Sequence, residues 1–401
     1  MINVQARNSV ANFGVGAPEK RRSLIAACLA HLLHDGYTDA LYAFLPVWQA
    51  QFGLSYAGLA LMRALYSGTM GGLQVPGAKL VKGWSPRSAL VFCTTIAASG
   101  FLMMAMPLGL AGLCAGLILA GIGSSIQHPR GSVLVTDTYA PASRGPLGVY
   151  NFSGDLGKAA LPALVALLLP LIAWRPVTGL MAALGLAVAA ALWVLTPRQA
   201  SHRTERTQPA VQGMGRSGFP LLMAIGAFDT ATRMGYLLFL PFLIHARGGA
   251  SPMVGLGLAL LFLGGALGKA TCSWLGERLG VIRSVIVTEG ATAIFIGATL
   301  FVPLSIMLVT LPLLGIVLNG TSSVLYGTVP ELAPRGDTGR AFAMFYTAVL
   351  GAGGLAPIAY GAIADHTNQK VGVIAAAVTA ALIMPMVLGL RSPLDRTHVA
   401  R

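Results

Sequence analysis

The sequence predicts an all-α integral membrane protein in which twelve transmembrane helices form two six-helix bundles related by pseudo-two-fold symmetry. Two observations predict this fold class. Of the 401 residues, 55% are hydrophobic and only 10% are charged, and the mean hydropathy of +0.73 is typical of a chain that is surrounded largely by lipid. The second observation is an internal repeat: Phe-Leu-Pro at residues 44–46 recurs at 239–241, and Gly-Ser-Ser at 123–125 recurs as Gly-Thr-Ser at 320–322. These offsets are close to half the chain and predict a duplicated unit.

Twelve mainly apolar runs account for the predicted spans, because a helix of about 20 apolar residues crosses the hydrocarbon core of a bilayer. The runs begin near Ser23, Ser55, Arg87, Gly109, Pro146, Pro176, Gly218, Ser251, Ile282, Leu304, Gly339 and Lys370. The first six are assigned to an N-terminal bundle, residues 23–197, and the last six to a C-terminal bundle, residues 218–391. The first run is far longer than the core of a signal peptide, so we expect it to remain as a span.

Polar segments complete the predicted domain plan. Residues 198–217 are rich in Arg, Thr, Gln, Pro and Gly and are predicted to form a cytoplasmic linker between the bundles. Residues 1–22 and 392–401 are predicted to be cytoplasmic tails. Most of the 27 Lys and Arg residues fall on the side of the predicted membrane that holds both termini, which predicts cytoplasmic termini in the cell inner membrane. The net charge of +14 is therefore interpreted as a topology signal, and no nucleic-acid partner is predicted.

Motifs for enzymatic chemistry and for metal binding are absent from the sequence. The four cysteines lie singly in apolar runs, without a Cys-x-x-Cys pair or His at zinc spacing, so neither a metal nor another cofactor is predicted. The sequence has no Gly-x-Ser-x-Gly, no His-Glu-x-x-His and no P-loop, which argues against an enzyme and against ATP as an energy source. A duplicated unit of about six spans is instead typical of secondary transporters.

A polar stripe on the first span is the first candidate site. His31, Asp35 and Asp39 lie at i, i+4 and i+8, on one helix face near the membrane midplane. From the helical rise, Arg63 of the second span is expected at the same depth as Asp35. Because an ionisable residue inside the bilayer is costly and a carboxylate facing a cavity can exchange a proton, we interpret the stripe as a proton-coupling site. The alternative is that Arg63 holds one aspartate in a permanent ion pair.

Two more pairs of opposite charge fall within predicted spans. Asp155 and Lys158 are three residues apart in the fifth span, and Asp229 and Arg233 are four apart in the seventh. Side chains at these spacings can touch each other or can contact a substrate, and both interpretations stay open. Lys269, near the inner end of the eighth span, is expected to extend its ammonium to the membrane interface.

Further candidate substrate-binding residues lie in the fourth and fifth spans and in the eleventh. His128 precedes Pro129, which frees backbone carbonyls, so a hydrogen bond from His128 to this kink is expected ahead of a direct role with protons. Arg130 either contacts substrate or extends to the interface. Tyr150 and Tyr346 occupy repeat-related positions, where buried hydroxyl groups could orient a substrate.

Three motifs are typical of one family. They are His-Leu-Leu-His-Asp at 31–35, Gly-Ile-Gly-Ser-Ser-Ile-Gln-His-Pro at 121–129 and Gly-Ala-Ile-Ala-Asp-His-Thr at 361–367. With the duplicated twelve-span plan, they make the chain resemble the major facilitator superfamily and, within it, the fosmidomycin-resistance group of drug exporters. This resemblance implies that the first, fourth, seventh and tenth spans line a central cavity.

The chain departs from the family pattern in its gating loops. The loop between the second and third spans usually carries an acidic residue, and this chain has Val81 there, followed by Lys82. The counterpart in the second half keeps an acid in Glu277-Arg278, followed by Arg283. We therefore predict gating roles for Lys82, Glu277, Arg278 and Arg283, with the acid-to-helix-end interaction possible only in the second half.

The predicted function is secondary active transport by alternating access: proton-coupled export of a small polar or anionic compound. The expected partners are a small-molecule substrate, protons and the lipid bilayer, and we expect a monomer. One alternative is uptake of a small organic anion by symport or uniport. Arg130, at a position usually acidic in the group, favours uptake, as does the missing Gly-Pro-x-x-Gly-Gly ending of antiporters after Gly157. A second alternative is a membrane receptor or lipid-handling protein that no longer transports.

Overall fold

The computed structural model describes residues 16–139, 142–197, 218–333 and 338–394, and all regular secondary structure in these ranges is helical. The predicted linker 198–217 lies outside the described residues, as do most of the two predicted tails. The helices of the first half are α1 (Ala17–Phe52), α2 (Tyr56–Gly72), α3 (Gln74–Leu80), α4 (Pro86–Ala105), α5 (Gly109–Tyr139), α6 (Arg144–Leu168) and α7 (Trp174–Leu195). Those of the second half are α8 (Phe219–His245), α9 (Ser251–Ala298), α10 (Leu304–Leu332), α11 (Thr338–His366) and α12 (Gln369–Leu388).

Eight helical segments in the described part of the chain are long and apolar enough to cross a membrane. They are Pro86–Ala105, Gly109–Tyr139, Trp174–Leu195, Ser251–Cys272, Trp274–Ala298, Leu304–Leu332, Arg340–His366 and Gln369–Leu388. Helices α1, α2, α6 and α8 are not among them, and these four helices carry most of the charged residues singled out above. Length and hydropathy therefore support eight spans, and the count of twelve stays a prediction.

Helix α9 is interrupted at Gly280. The backbone of Gly280 has φ 76° and ψ 167°, a conformation that glycine adopts readily because it lacks a Cβ atom. Both parts of α9 pack against α10. Gly264, before the break, lies against the backbone of Pro312, and Thr288, after the break, accepts a hydrogen bond of 2.8 Å from Thr321. The break thus supplies the boundary that the sequence predicts near Ile282.

Close approach of helix backbones holds the first half together. Helix α1 packs against α5 and α6, and α4 packs against α5 and α7. At the contact between α1 and α6, a Cβ atom at Gly157 would collide with the carbonyl group of Leu32. Small residues at such crossings let helices pack without lipid between them. This close approach positions the polar face of α1 directly against α6.

The two halves meet where α2 packs on α11 and where α6 packs on α9. At the end of the molecule opposite the chain termini, the carboxylate of Asp365 on α11 accepts hydrogen bonds from the backbone N–H groups of Tyr56 (2.8 Å) and Ala57 (2.9 Å) at the start of α2. We call this contact the α2–α11 latch. The Tyr56 ring also packs on Phe239 and Phe242 of α8, with centroids 5.5 and 5.1 Å apart. A carboxylate at a helix N-terminus satisfies unpaired N–H groups and complements the helix dipole, so the latch joins the halves at this end.

Candidate functional site

The carboxylate of Asp35 lies at the centre of a charged cluster formed by α1, α5 and α6. Its side chain is 10% exposed. One oxygen lies 3.2 Å from Nζ of Lys158 and 3.6 Å from Nε2 of His31, and the other lies 3.7 Å from Nε2 of His128. We call these four residues the Asp35 cluster. His128 was expected to bond the Pro129 kink, and its ring instead faces Asp35, because the α5 backbone at this turn lies beside α1.

Tyr150 supports the Asp35 cluster from α6. Its ring stacks on His31 with centroids 4.1 Å apart and 13° between the planes, and its hydroxyl lies 3.5 Å from the amide nitrogen of Gln127. The predicted counterpart Tyr346 is placed differently: it is 47% exposed and lies beside Tyr326, with ring centroids 5.0 Å apart. The repeat therefore preserves the positions of the two tyrosines but not their surroundings.

Arg63 faces Asp39, one helical turn from the position expected. Its guanidinium lies 3.9 Å from the Asp39 carboxylate and 4.1 Å from the centre of the Tyr42 ring, and it donates a hydrogen bond to the carbonyl of Thr38. A depth estimated from the helical rise is too coarse to distinguish Asp35 from Asp39, which lies one turn further along the same face of α1. Lys158 forms an ion pair with Asp35, and Arg63 neutralises Asp39, the other aspartate of the stripe.

An ion pair between Asp155 and Lys269 joins the two halves. Nζ of Lys269 on α9 lies 2.6 and 2.7 Å from the two carboxylate oxygens of Asp155 on α6. Lys158 also lies near Asp155, at 3.7 Å. The expectation that Lys269 extends to the membrane interface is wrong. Because α6 and α9 pack together, a carboxylate of the other half is within reach, and spacing along one helix could not reveal this contact.

Asp229 and Arg233 on α8 are connected through Ser322 of α10. Arg233 donates a hydrogen bond of 3.2 Å to the Ser322 hydroxyl, which donates one of 3.1 Å to Asp229. Ser322 was not among the predicted site residues, although it lies in the repeated segment 320–322. Its repeat partner segment includes Ser124, whose hydroxyl lies 2.8 Å from His34 and 2.7 Å from Tyr66.

A cavity of about 140 Å³ lies between the two halves and receives charged side chains from both. Lys158, Arg233 and Lys269 contribute positive charge, and Asp39 and Asp155 contribute negative charge. The rest of the lining consists of Met234, Leu237, Phe262, Gly265 and Asn319. Three cations and two carboxylates line this cavity, so an anion inside it would meet cationic groups from both halves.

A second, smaller cavity of about 80 Å³ lies between α1, α2, α8 and α11 and is mainly apolar. It contains Arg63 and Tyr42 on one side, and Leu350 and Pro357 on the other. Met234 lines both cavities. The charged cavity and the apolar cavity are therefore neighbours, and together they could take a small molecule with a charged end and an apolar end.

Arg130 and the predicted gating residues lie apart from the cavities. Arg130 donates a hydrogen bond of 2.6 Å to the carbonyl of Trp84, between α3 and α4. Val81, which stands in the place of the usual acid, is fully buried. The predicted gating side chains of Lys82, Glu277, Arg278 and Arg283 are exposed. The guanidinium of Arg278 lies over the Trp274 ring at 5.5 Å.

His31, Asp35 and His128 also form a set of donors that could hold a metal ion, since their ligand atoms lie within 4.8 Å of one another. Imidazole and carboxylate groups are ordinary zinc ligands. In this structure the ammonium of Lys158 neutralises the same carboxylate at 3.2 Å. A metal ion bound here would therefore compete with this ammonium for the Asp35 carboxylate.

Comparisons with known proteins agree with this architecture. The family model described as Major Facilitator Superfamily matches residues 27–228 and 222–400. The Fosmidomycin resistance protein of Escherichia coli (strain K12) is 24% identical over 376 residues, which cover 86% of each chain. Among solved structures, a bacterial homolog of the human lysosomal transporter Spinster, in an inward-facing and occupied conformation, matches with a TM-score of 0.78 and 15% identity over 95% of this chain and 99% of that one.

A POT family transporter in complex with 5-aminolevulinic acid matches with a TM-score of 0.75 and 13% identity over 93% of this chain and 96% of that one. At these identities the solved structures show the fold alone. The two matches of the family model together span nearly the whole chain, and the resemblance to the fosmidomycin-resistance group expected from the motifs is confirmed. This chain therefore belongs to the Major Facilitator Superfamily.

Proposed function

We propose that this protein is a secondary active transporter that moves a small anionic compound together with protons by alternating access. The observation that carries the proposal is the central cavity, where Lys158 of the first half and Arg233 and Lys269 of the second half surround one space. A substrate held by cations of both halves is released when the halves move apart, which couples binding to the motion of the bundles.

The proposed membrane arrangement has twelve spans, in bundles 23–197 and 218–391, with both termini in the cytoplasm of the cell inner membrane. The eight apolar helical segments and the distribution of Lys and Arg support it. In this orientation the α2–α11 latch lies on the outer side of the membrane. In this proposal the outer end is closed in this structure, so the central cavity exchanges solute with the cytoplasmic side.

Lys158 connects anion binding with proton binding. Its ammonium lies 3.2 Å from Asp35 and 3.7 Å from Asp155. An anionic group that binds Lys158 withdraws this cation from both carboxylates. A buried carboxylate without a cation partner takes up a proton, because the isolated charge is costly in the membrane. Anion and proton are then bound to the same state of the protein, which is the linkage that symport requires.

Export in exchange for protons, which the sequence analysis predicts, is the second candidate. It is supported by the motif resemblance and by the relative whose name is Fosmidomycin resistance protein. In that case proton binding at Asp35 and Asp39 alternates with substrate binding. The two candidates differ in the direction of proton movement relative to substrate movement.

Transport into liposomes separates the candidates. The purified protein is reconstituted with a fluorescent pH probe inside the vesicles, and a panel of small organic anions and fosmidomycin is added outside. Acidification of the interior as solute enters supports symport, and alkalinisation supports exchange. Solute entry without proton movement would reject proton coupling, and binding without any solute entry would support a receptor.

The variant Asp35→Asn tests the proposed proton site in the same assay. We expect it to abolish solute-driven proton movement while exchange of labelled solute across the vesicle membrane continues. Unchanged proton movement in this variant would reject a coupling role for Asp35.

A further inference from the structure

A second pair of acidic side chains lies in the second half, outside the central cavity. Asp229 on α8 is 3% exposed and Glu289, in the part of α9 after Gly280, is 1% exposed. Ser322 of α10 donates a hydrogen bond of 3.1 Å to Asp229, and the adjacent Thr321 donates one of 2.8 Å to Thr288, the residue before Glu289. The two acids thus lie side by side against residues 321–322 of α10, and their carboxyl groups interact. Oε2 of Glu289 is buried and has no hydrogen-bond partner among the residues that the structure describes. A buried acceptor in contact with another acceptor requires a proton between them.

The surroundings of this pair supply hydroxyl groups and little positive charge. Thr288, Thr292 and Thr321 lie next to Glu289, and Ser322 donates to Asp229. Hydroxyl groups can hydrogen-bond a carboxyl group in either protonation state, but they do not cancel its charge.

In the part of the chain that the structure describes, one basic residue faces the pair. Arg233 of α8 bonds the hydroxyls of Ser322 and Thr230, and within the described ranges it makes no ion pair within 4.0 Å with either acid. The other titratable groups that face the pair are Cys272 of α9 and Tyr326 of α10.

Packing from α12 adds no charge at this level. Met384 of α12 lies beside Gly290, the residue that follows Glu289. If both carboxyl groups were ionised, Arg233 would balance one of the two negative charges and the other would stay unbalanced.

We propose that Asp229 and Glu289 form a proton-binding site of the second half, in which the two carboxyl groups hold one exchangeable proton between them. Two carboxylates in contact inside a low-dielectric interior cannot both be ionised, so the pair carries one negative charge and one proton. The bound proton provides the hydrogen-bond donor that Oε2 of Glu289 lacks among the described residues. Arg233 balances the one negative charge that remains on the pair. The proton enters and leaves without any other bond forming or breaking.

This site differs from the Asp35 cluster in how its charge is neutralised. Lys158 and two histidines surround Asp35, whereas a second carboxyl group is the neighbour of Asp229. Arg233 lines the central cavity and also reaches Ser322. An anion that binds Arg233 in the cavity draws it away from Ser322 and favours a second proton on the pair. This coupling rests on the proposed function, whereas the binding of the proton does not.

Infrared spectroscopy of the full-length protein in lipid tests the proton directly. Spectra in H₂O and D₂O identify the carbonyl stretch of a protonated carboxyl group, and the variant Glu289→Gln is compared with the unmodified protein. We expect loss of one such band in Glu289→Gln and no loss in the control Glu331→Gln, which changes a half-buried glutamate at the end of α10. A band of full intensity in Glu289→Gln would overturn the proposal.

A second variant and a second readout keep the outcome clear. If Glu289→Gln does not fold, Glu289→Met removes the same carboxyl group with a side chain of similar length, and the same band is expected to disappear. In liposomes, Glu289→Gln is expected to lower the number of protons moved per solute. If the unmodified protein moves no protons with solute but the band is lost in Glu289→Gln, the proton site stands and the proposed transport coupling fails.

Discussion

Lys158 is within reach of two carboxylates that belong to different charge networks. Asp35 belongs to the cluster with the two histidines, and Asp155 belongs to the ion pair with Lys269 of the other half. The side chain of Lys158 is 30% exposed, so a ligand in the cavity can reach its ammonium. A change at this one residue therefore affects anion binding, the charge of Asp35 and the contact between the halves.

Replacing Lys158 with Gln keeps most of the side-chain length and removes the charge. We expect the apparent affinity for an anionic solute to fall by at least about tenfold, which corresponds to about 1.4 kcal/mol of binding free energy. The measurement is the concentration dependence of solute uptake in liposomes. Lys370→Gln, at an exposed lysine at the start of α12, is the matched control and should leave uptake unchanged. Equal affinities of Lys158→Gln and the unmodified protein would contradict the proposed role.

Most charged residues of the site could be predicted from the sequence, but most of their contacts with other helices could not. Buried charges are conspicuous in an apolar chain, so Asp35, Asp155 and Lys158 were identified by residue type alone. Their pairing depends on contacts between helices. Arg63 lies at Asp39 rather than Asp35, and Lys269 reaches Asp155 across the boundary between the halves. Neither contact leaves a periodic signal along one helix.

At the scale of the helices, capping residues and proline explain why most boundaries agree with the apolar runs. The run predicted near Ser55 begins with Ser55 as the N-cap of α2, whose hydroxyl accepts a hydrogen bond from the N–H of Gly58. Pro86 similarly occupies the first turn of α4, next to the predicted start. The separate helix α3 was not predicted. Its last four residues, 77–80, lie in the segment 77–82 that the family resemblance assigns to a gating loop.

The contact between α1 and α6 leads to a test of helix packing. Gly157→Ala places a methyl group against the carbonyl of Leu32, and we expect a loss of about 1–3 kcal/mol in the free energy of unfolding. The measurement is thermal unfolding of the purified protein in detergent, read as a lower midpoint. Gly148→Ala in the same helix is the control, since a Cβ atom at that position meets no atom within 4 Å. A midpoint that falls equally in both variants would show that the effect comes from the helix backbone and not from the contact with α1.

In the proposed membrane orientation, the α2–α11 latch leads to a test of how the outer end of the molecule opens. Asp365→Asn removes the negative charge and one of the two acceptor oxygens that bind the N-terminus of α2. The interaction of a carboxylate with a helix N-terminus contributes about 0.3–1 kcal/mol and up to about 2 kcal/mol when partly buried. We therefore expect the open state to become several-fold more populated.

Labelling of an engineered cysteine measures this shift. The four native cysteines are first replaced, and Thr38, which lines the apolar cavity, is then changed to cysteine. A membrane-impermeant thiol reagent is added on the outer side, and the rate of labelling is measured. Faster labelling in Asp365→Asn is expected. The same rate with and without the substitution would show that the latch does not hold the outer end closed.

At the scale of the whole molecule, the two halves are joined by the latch at one end and by the Asp155–Lys269 pair between α6 and α9. Alternating access requires at least one of these contacts to break in each cycle. The internal repeat predicted two similar halves. It could not predict which side chains bind across the boundary, because those contacts involve non-equivalent positions of the repeat.

Charge reversal tests the pair between the halves. Each single variant, Asp155→Lys or Lys269→Asp, leaves two like charges in contact and is expected to abolish transport. The double variant restores an attractive pair and should recover part of the activity, and the difference from additivity measures the coupling. Liposome uptake of the same solute is the measurement. A double variant no better than either single variant would mean that the residues act separately.

The distribution of charge among the helices also constrains how the protein is made. A charged residue at the centre of a helix costs about 2.5–3.5 kcal/mol on insertion into a membrane, and α1, α2, α6 and α8 carry such residues. Lys158 finds a counter-charge as soon as α6 meets α1, but Asp155 meets Lys269 only after synthesis has continued through much of α9. During biogenesis of the proposed twelve-span arrangement, Lys158 therefore faces both Asp35 and Asp155 until Lys269 supplies a second cation. Ribosome-bound chains that end before Lys269 are expected to retain α6 less firmly in the bilayer than chains that extend beyond it.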